Sequence, residues 1–424
     1  MSELAICGGR PSVPHPKPHA NRAVFTPADR AAIETYFEDP APQNSYFGRE
    51  GMLGAFEREL AGFFGRGHCV LTNSGTSALH TAFFAAGVEP GDEVIGPAYT
   101  FHATVTPVFR LGAVPVLCDA EADTGNIDPD RIESLITEKT RAIVVTHQWG
   151  HPVDALRIAE IARRRGLVLI EDLSLAFGAT LDGRLTGTFG DIACFSLGST
   201  KLLSGGQGGG LVLDDQTMWE RSNLIGHFAR RSFDAVQSPA LRQFADTGYG
   251  HNFRMHTLAI AISRSRFHRR AELMSARHAR YERLSAHLSA TGVIDPPVTR
   301  PGVYRGGWQG YCARHDPERT GVPLDVLVRA LAAEGLEVSA GGYHLPLHYS
   351  RIFQSRSDGQ AMHTPPPSNR RVYRRGDFPV AERHVGQLIG FPLFLDEELE
   401  LVDAYGEACQ KVCEQLERLR HAVV

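Results

Sequence analysis

The stretch AIVVTHQWGHPVDALRIAEIARRRGLVLIED, residues 142–172, decides the fold class. A continuous apolar run at residues 142–146 predicts a buried strand, the periodic segment 155–165 predicts a helix, and residues 167–170 predict a second strand. Continuous apolar strands on either side of a helix are typical of a parallel sheet that helices cover on both faces. The sequence therefore predicts an α/β domain.

The same alternation extends in both directions from this stretch. Apolar runs alternate with helical patterns from about residue 68 to about residue 213. After a long helical pattern over residues 257–288 the prolines return, which indicates a second unit. We predict an N-terminal arm over residues 1–45, a large α/β domain over residues 46–260, and a long helix with a smaller α+β domain over residues 261–424.

The composition argues against several classes of function. The chain has 424 residues and a formal net charge of −4 with both signs interspersed, which disfavours nucleic acid or an anionic membrane as partner. Its seven cysteines are scattered, as expected of reduced thiols in the cytoplasm, and no cluster of ligands predicts a metal site. No apolar stretch has the length of a membrane span, and the first 19 residues lack the apolar core of a signal peptide. We expect a cytoplasmic protein.

Lys201 is the strongest candidate for a catalytic residue. It follows an apolar strand pattern at residues 191–197, comes directly after two hydroxyl residues, and precedes the glycine-rich segment 205–210. A lysine in a fixed position, beside glycine residues that leave room for a flat ligand, suits a Schiff base with the ring of pyridoxal phosphate (PLP). A surface lysine in a loop is the alternative, and it is the commoner case for a lysine taken at random.

Other segments carry the residue types that a PLP site needs. Gly75 and Thr76 join a strand to a helix N-terminus, which favours a phosphate, although such residues are also ordinary helix caps. Asp172 ends a strand at the sheet edge where ligands bind and would pair with the pyridine nitrogen; a solvated strand end is the alternative. Phe101 can stack on the ring or belong to the core. Ser196 can reach the phosphate or be a buried strand serine, but the joint order of these residues predicts a PLP site.

These motifs resemble those of the DegT/DnrJ/EryC1/StrS aminotransferases. The similarity covers roughly residues 45–400 and rests on residues 73–79, 97–101, 171–172, 190–196, 200–201 and 252–255. The resemblance implies the aspartate-aminotransferase fold (PLP fold type I), with a mostly parallel central sheet flanked by helices and a smaller α+β C-terminal domain. It also implies PLP as cofactor and a homodimer whose active sites lie at the subunit interface.

The resemblance further implies a reaction. Members of the family usually move an amino group from glutamine or glutamate to a keto-sugar or keto-cyclitol, for antibiotics or cell-surface glycans. Residues 99–104 and 248–250 are most similar to the branch that aminates keto-inositols in aminoglycoside pathways. We expect specificity to depend on the N-terminal arm and on residues 220–250 and 343–348.

The resemblance also implies roles for the candidate residues. Lys201 resembles the Schiff-base lysine and Asp172 resembles the partner of the pyridine nitrogen, so these two are the expected catalytic residues. Phe101 resembles the aromatic residue that stacks on the ring. The remaining cofactor contacts are implied at Gly75, Thr76 and Ser196 for the phosphate, and at Asn252 for the phosphate of the neighbouring subunit.

Two positions depart from the family pattern. Leu175 stands where the family usually has Gln or His near the phenolic oxygen of the cofactor, and leucine cannot hydrogen-bond. Gln207 replaces the glutamate of a Gly-Glu-Gly-Gly segment, with the loss of a negative charge. These changes motivate a second hypothesis, PLP-dependent elimination, replacement or other carbanion chemistry on an amino acid. A third hypothesis is a PLP-binding regulator without catalysis, against which the intact Lys201 and Asp172 argue.

Overall fold

A seven-stranded sheet lies at the centre of the larger part of the molecule. The protein is described by a computed structural model over residues 3–13, 25–38, 49–355, 369–394 and 399–421. The strands of these residues, in chain order, are β1 (His68–Thr72), β2 (Glu93–Pro97), β3 (Val114–Cys118), β4 (Thr140–Thr146), β5 (Val168–Asp172), β6 (Thr180–Leu181), β7 (Arg184–Leu185), β8 (Ile192–Ser196), β9 (Gly209–Leu213), β10 (Ile294–Asp295), β11 (Val303–Tyr304), β12 (Tyr311–His315), β13 (Ser339–Ala340) and β14 (Leu388–Phe391).

The central sheet has the strand order β1-β9-β8-β5-β4-β2-β3. Strands β3, β2, β4, β5 and β8 pair in parallel, whereas β9 pairs antiparallel with both β8 and β1. A second sheet, β10-β12-β14-β13, is antiparallel, and a small third sheet has the order β11-β6-β7. The mostly parallel central sheet with a smaller C-terminal α+β part confirms the predicted fold class.

Helices surround both larger sheets. The α-helices are α1 (Pro27–Glu38), α2 (Gly51–Phe64), α3 (Gly75–Ala85), α4 (Pro107–Arg110), α5 (Pro129–Ile132), α6 (Ala155–Arg165), α7 (Gln216–Ser222), α8 (Arg230–Ala235), α9 (Pro239–Arg242), α10 (Thr257–His268), α11 (Arg270–Thr291), α12 (Pro317–Thr320), α13 (Leu324–Ala333), α14 (Arg351–Gln354), α15 (Pro379–Val385), α16 (Leu399–Cys413) and α17 (Leu416–His421). Short 3-10 helices span Ala5–Cys7, His102–Thr104, Glu133–Leu135, Gln148–Gly150 and Leu347–Tyr349. In the part of the chain that is described, no helix combines the length and apolar character needed to cross a membrane.

Both faces of the central sheet are buried, as the continuous apolar strands predict. Val144 and Ile170 pack on one face with the small residues of α3, and Ile143 and Leu169 pack on the opposite face with Ile158 of α6. Successive residues of a strand point to opposite faces, so an unbroken apolar run supplies both cores at once. A separate core lies between the antiparallel sheet and α11, α13 and α16.

The predicted long helix over residues 257–288 is wrong in one respect, because the chain leaves helical geometry at Arg269 and continues as a separate helix, α11. At this break the guanidinium of Arg269 donates to Asp29 of α1 at 2.9 Å, and Arg266 donates to the same carboxylate at 2.8 Å.

The C-terminal helical segment is likewise divided, into α16 and α17. The predicted domain boundary at residue 260 falls within α10, and the division into domains stays a prediction.

The N-terminal arm is attached to both parts of the molecule. Its first described segment packs Leu4 and Val13 into the core of the C-terminal part. There the carboxylate of Glu334 accepts hydrogen bonds from the backbone N–H of Ala5 and of Ser12. Asp29 of its helix α1 binds Arg266 of α10 and Arg269 at the break before α11, so the described arm residues contact both parts.

Candidate active site

A cavity of about 550 Å³ lies at the carboxyl ends of the parallel strands. Thr146, Asp172 and Ser196 line it, and each is the last residue of its strand, β4, β5 and β8 respectively. Because parallel strands end at the same edge of a sheet, three residues far apart in the chain meet there. The N-terminus of α3 and the turn that carries Lys201 complete this wall of the cavity.

Lys201 lies in the cavity on a tight turn that follows β8. Its backbone N–H donates to Gly198 at 2.9 Å, and its carbonyl accepts from Ser204 at 3.1 Å, so the turn is held on both sides. Burial lowers the pKa of the Lys201 ammonium to about 8, while the nearby Asp172 carboxylate acts in the opposite direction. About a tenth of the amine is therefore unprotonated at pH 7, far more than for a lysine in water, and the unprotonated form is the one that attacks an aldehyde.

The Asp172 carboxylate is oriented by hydrogen bonds on both oxygens. Thr104 donates its hydroxyl to Oδ2 at 2.8 Å, and the backbone N–H of Ser174 donates to Oδ1 at 2.9 Å. The Thr104 hydroxyl in turn lies 2.9 Å from that of Thr100 and 3.1 Å from that of Thr146. This buried hydroxyl network fixes a carboxylate that is only 3% exposed at the floor of the cavity.

Glu171, one residue earlier, points to the other face of the sheet, as strand alternation requires. Its carboxylate lies 3.1 Å from Nε2 of His147 and accepts from the backbone N–H groups of Gly187, Phe189 and Gly190. Burial acts to raise the pKa of Glu171, but these hydrogen bonds hold it below its usual value. Glu171 and His147 therefore anchor the loop before β8 and do not enter the cavity.

The beginning of α3 forms a close-fitting cradle. The side chain of Ser74 caps the helix by accepting from the backbone of Ser77 at 3.1 Å. A Cβ added to Gly75 would lie 2.9 Å from Cβ of Ser196, so only glycine leaves this passage open. Thr76 and Ser196 add hydroxyl groups beside the unpaired N–H groups of the helix N-terminus. This donor set suits a phosphate.

Phe101 lines the cavity, and its ring centroid lies 4.4 Å from that of His102 and 5.5 Å from that of His344. It precedes the 3-10 helix His102–Thr104 and is 47% exposed, whereas its neighbours Tyr99 and Thr100 are buried. A large aromatic side chain in the open position suits stacking on a flat ligand. Leu175 also lines the cavity, 5% exposed and without a polar group, and Gln207 lies at the same cavity.

The residues present fit PLP. An amine of lowered pKa, a fixed carboxylate, an open aromatic face and a phosphate cradle line one cavity large enough for a pyridine ring and a substrate. Of the seven predicted site residues, six line it: Gly75, Thr76, Phe101, Asp172, Ser196 and Lys201. Within the described residues, no group of three or more His, Cys, Asp or Glu side chains is placed to hold a metal ion.

Asn252 is not brought to this cavity. It is exposed, its carbonyl accepts from the side chain of Asn73 at 3.3 Å, and its own side chain accepts from the backbone of Arg254. This position is compatible with the predicted contact to a neighbouring subunit, which stays a prediction.

Sequence reasoning missed most of the opposite wall, which the C-terminal part supplies together with Trp149 from the 3-10 helix after β4. Trp149, Gln309 and Gly310 line it together with Tyr343 and His344; only the last two lie in a segment expected to affect specificity. The rings of Trp149 and His344 stack at 4.9 Å. Burial lowers the pKa of His344 to about 4, so its imidazole is neutral at neutral pH. The run Gly306-Gly307-Trp308-Gln309-Gly310, an aromatic among glycines, was the available signal.

Comparison with known proteins agrees with this arrangement. The model of the DegT/DnrJ/EryC1/StrS aminotransferase family matches residues 45–404. The chain is 32% identical over 425 residues to a putative L-glutamine:3-amino-2,3-dideoxy-scyllo-inosose aminotransferase of Streptoalloteichus tenebrarius, covering 95% of this chain and 97% of that one. It is 31% identical over 350 residues to the L-glutamine:2-deoxy-scyllo-inosose aminotransferase of the same organism, covering 82% of each. The crystal structure of the aminotransferase TlmJ from Streptoalloteichus hindustanus is similar with a TM-score of 0.76 and 26% identity, covering 93% of this chain and 98% of that one.

Proposed function

Because this chain belongs to the DegT/DnrJ/EryC1/StrS aminotransferase family, whose members depend on PLP, we propose that it moves the amino group of glutamine to a keto-cyclitol in antibiotic biosynthesis. The names of two relatives support this donor and this class of acceptor.

The charge of the cavity lining supports a small acceptor without phosphate groups. Among the described residues that line it, Lys201 carries the only cationic side chain at neutral pH, since His344 is held neutral by burial. A keto-sugar linked to a nucleoside diphosphate brings two phosphate groups, which proteins usually bind with arginine or lysine. A cyclitol brings hydroxyl groups, which Ser199 and Gln207 of the lining can hydrogen-bond.

Different residues of the chain have different roles in the proposed reaction. When bound, PLP supplies an electron sink that stabilises the carbanion at the donor's α-carbon. We assign Asp172 as the partner of the protonated pyridine nitrogen and Phe101 as the residue that stacks on one face of the ring. Gly75 and Ser196 would contact the phosphate. With its amine free, the Nζ of Lys201 would take the proton from the α-carbon of the donor and deliver it to the cofactor carbon that had carried the aldehyde, across the intervening nitrogen.

Elimination or replacement on an amino acid is the weaker candidate. The apolar side chain of Leu175 in the cavity is the observation that motivates it. The family and the two relatives described above, however, are named as aminotransferases, which favours amino transfer over both alternatives. The two reactions also differ in stoichiometry, because amino transfer leaves one equivalent of pyridoxamine phosphate with the donor alone.

We also propose a homodimer located in the cytoplasm. The exposed aromatic residues Phe233, Phe244 and Tyr249 lie in the segment just before Asn252 and are 41%, 38% and 40% exposed. Such a group of aromatic side chains suits a protein interface. All seven cysteines are free, which is compatible with a reducing compartment.

The purified holoenzyme tests this proposal. We expect glutamine alone to convert its visible PLP absorption to that of pyridoxamine phosphate, and a keto-inosose to restore it. Lys201→Ala should lose the lysine-bound absorption. A nucleotide-linked keto-sugar that restores the absorption when the keto-inosose does not would contradict the acceptor, and formation of a keto acid with ammonia and without pyridoxamine phosphate would contradict amino transfer.

A further inference from the structure

Arg277 of α11 carries a buried positive charge behind the cavity wall. The residue is 5% exposed, and none of the described carboxylates forms a salt bridge with it. Its Nη1 donates to the carbonyl of Gly307 at 2.6 Å and to Oε1 of Gln309 at 3.1 Å. Burial lowers the pKa of Arg277, but a guanidinium stays charged at neutral pH. A buried cation without a counter-ion is unfavourable, so a compensating anion is expected nearby when the site is occupied.

Arg277 fixes the orientation of the Gln309 amide. Because a guanidinium only donates hydrogen bonds, the amide oxygen must face Arg277, and the NH2 group faces the opposite way. Nε2 donates one hydrogen to the carbonyl of Thr200 at 2.8 Å, directly beside Lys201. Among the described residues, the second hydrogen of Nε2 has no acceptor.

Gln309 is held rigidly at the cavity. It lines the cavity with Lys201 and Leu175, and its backbone N–H donates to the carbonyl of Leu175 at 3.2 Å. The preceding residue, Trp308, has φ +38°, a strained conformation for a bulky side chain that persists only where the surroundings impose it. The strained backbone and the Arg277 contact together place one amide N–H beside the lysine.

PLP bound through Lys201 would bring an ionisable oxygen to this part of the cavity. Its phenolic oxygen is on the ring carbon beside the one that bears the aldehyde, and it is an anion once it has lost its proton. Leu175 offers it no hydrogen bond, whereas the free N–H of Gln309 does. An anion there would also compensate the positive charge of Arg277, which is hydrogen-bonded to the amide oxygen of the same Gln309.

We propose that Gln309 is a cofactor-binding residue whose second Nε2 hydrogen donates to the phenolic oxygen of PLP, and that Arg277 is the positioning residue that orients this amide. The inference rests on the proposed function only in taking PLP to be bound through Lys201.

The test is a pH titration of the full chain, followed by the visible absorption of lysine-bound PLP. Two quantities are measured: the midpoint pH, at which half of this PLP has lost its proton, and the affinity for PLP. The Gln309 N–H withdraws electron density from the phenolic oxygen. Without this hydrogen bond the oxygen is more electron-rich, so the nitrogen that joins Lys201 to PLP has a higher pKa. We expect Gln309→Leu to raise the midpoint by roughly one pH unit and to weaken PLP binding roughly tenfold. Gln309→Glu, which keeps a partner for Arg277 but donates nothing, should also raise the midpoint. Arg277→Met should raise it by a smaller amount.

Matched variants separate this role from simple loss of structure. Leu175→Gln in the Gln309→Leu background places an amide on the same wall and should move the midpoint back towards that of the wild type. Gln410→Leu, at an exposed glutamine of α16 that does not line the cavity, should change neither quantity. Folded Gln309 variants that take up PLP with the wild-type midpoint would overturn the inference while leaving the proposed function intact. A wild-type protein that never forms lysine-bound PLP would overturn both.

Discussion

At the residue scale, Lys201 combines two environments that act on its pKa in opposite directions. Burial favours the neutral amine, and the Asp172 carboxylate favours the ammonium. The outcome is a pKa of about 8, well below the value of a lysine in water. The same carboxylate is held by Thr104, so the hydroxyl network positions the group that moderates the lysine.

This pKa gives a testable pH dependence. Only the unprotonated amine attacks the aldehyde of PLP, so uptake of PLP by the apoenzyme should accelerate as pH rises through about 8 and then level off. Stopped-flow absorbance over pH 6–10 on the apoenzyme would measure the midpoint, with Lys201→Ala as the control that shows no lysine-bound absorption. A midpoint near that of a free lysine would contradict the buried environment of the amine.

At the element scale, the break between α10 and α11 is explained by a buried group on a third helix. Asp29 of α1 is fully buried and receives hydrogen bonds from Arg266 and Arg269, which are 9% and 24% exposed at their side chains. A helical pattern in the sequence continues through Arg269, so the break depends on a residue about 240 positions away. The contact also joins the N-terminal arm to the rest of the chain.

Asn in place of Asp29 should destabilise the protein. Removing one partner of a buried ion pair leaves uncompensated charge, and we expect a loss of about 3–5 kcal/mol in the free energy of unfolding. Urea denaturation at neutral pH would measure it, with Asp130→Asn as the control, because Asp130 is 73% exposed and its pair with Arg157 contributes little. A loss no larger than that of the control would show that Asp29 does not anchor α1.

The pH dependence of this contact follows from the carboxylate. Burial acts to raise the pKa of Asp29, but its bonds to Arg266 and Thr26 lower it below the usual value. A lowered carboxyl pKa adds stability above the unfolded-state pKa, and that stability is lost as pH falls through the folded-state pKa. The difference in stability between the wild type and Asp29→Asn should therefore shrink as the solution is acidified.

At the scale of the whole molecule, the cavity is built from both parts of the chain. The sheet edge supplies Asp172 and Lys201, and the C-terminal part supplies Gln309, Tyr343 and His344. Asn252, predicted from the family resemblance to contact PLP, lies outside this cavity. In the proposed homodimer, Asn252 would instead contact the phosphate of the PLP in the active site of the second subunit.

Co-expression of two defective chains tests this arrangement. Lys201→Ala and Asn252→Ala each impair every site of their own homodimers. In a mixed dimer, one of the two sites receives both native residues, so a random mixture should recover about one quarter of wild-type activity. Lys201→Ala mixed with Asp172→Ala is the control and should recover none, because both residues act within one chain. No recovery in the first mixture would place Asn252 outside the partner's site.

Much of the fold was predictable because its signals are local. Apolar runs separated by helical periods predict a parallel sheet, and the strand-end positions of Asp172 and Ser196 predict which edge carries the site. Six of the seven predicted site residues line the cavity for this reason. The helices were less predictable, since Arg269 breaks a pattern that is continuous in the sequence.

The sequence by itself determined the α/β class, the order of the cofactor-binding segments and the candidacy of Lys201, since each depends on periodicity or on a short run of residues. Only the tertiary structure decided that Arg277 is buried without a carboxylate partner among the described residues, and that Gln309 lies beside Lys201. Residues 201, 277 and 309 are brought together by the packing of α11 and the loop before β12 against the end of β8. No local pattern encodes that packing, because it depends on contacts between segments far apart in the chain.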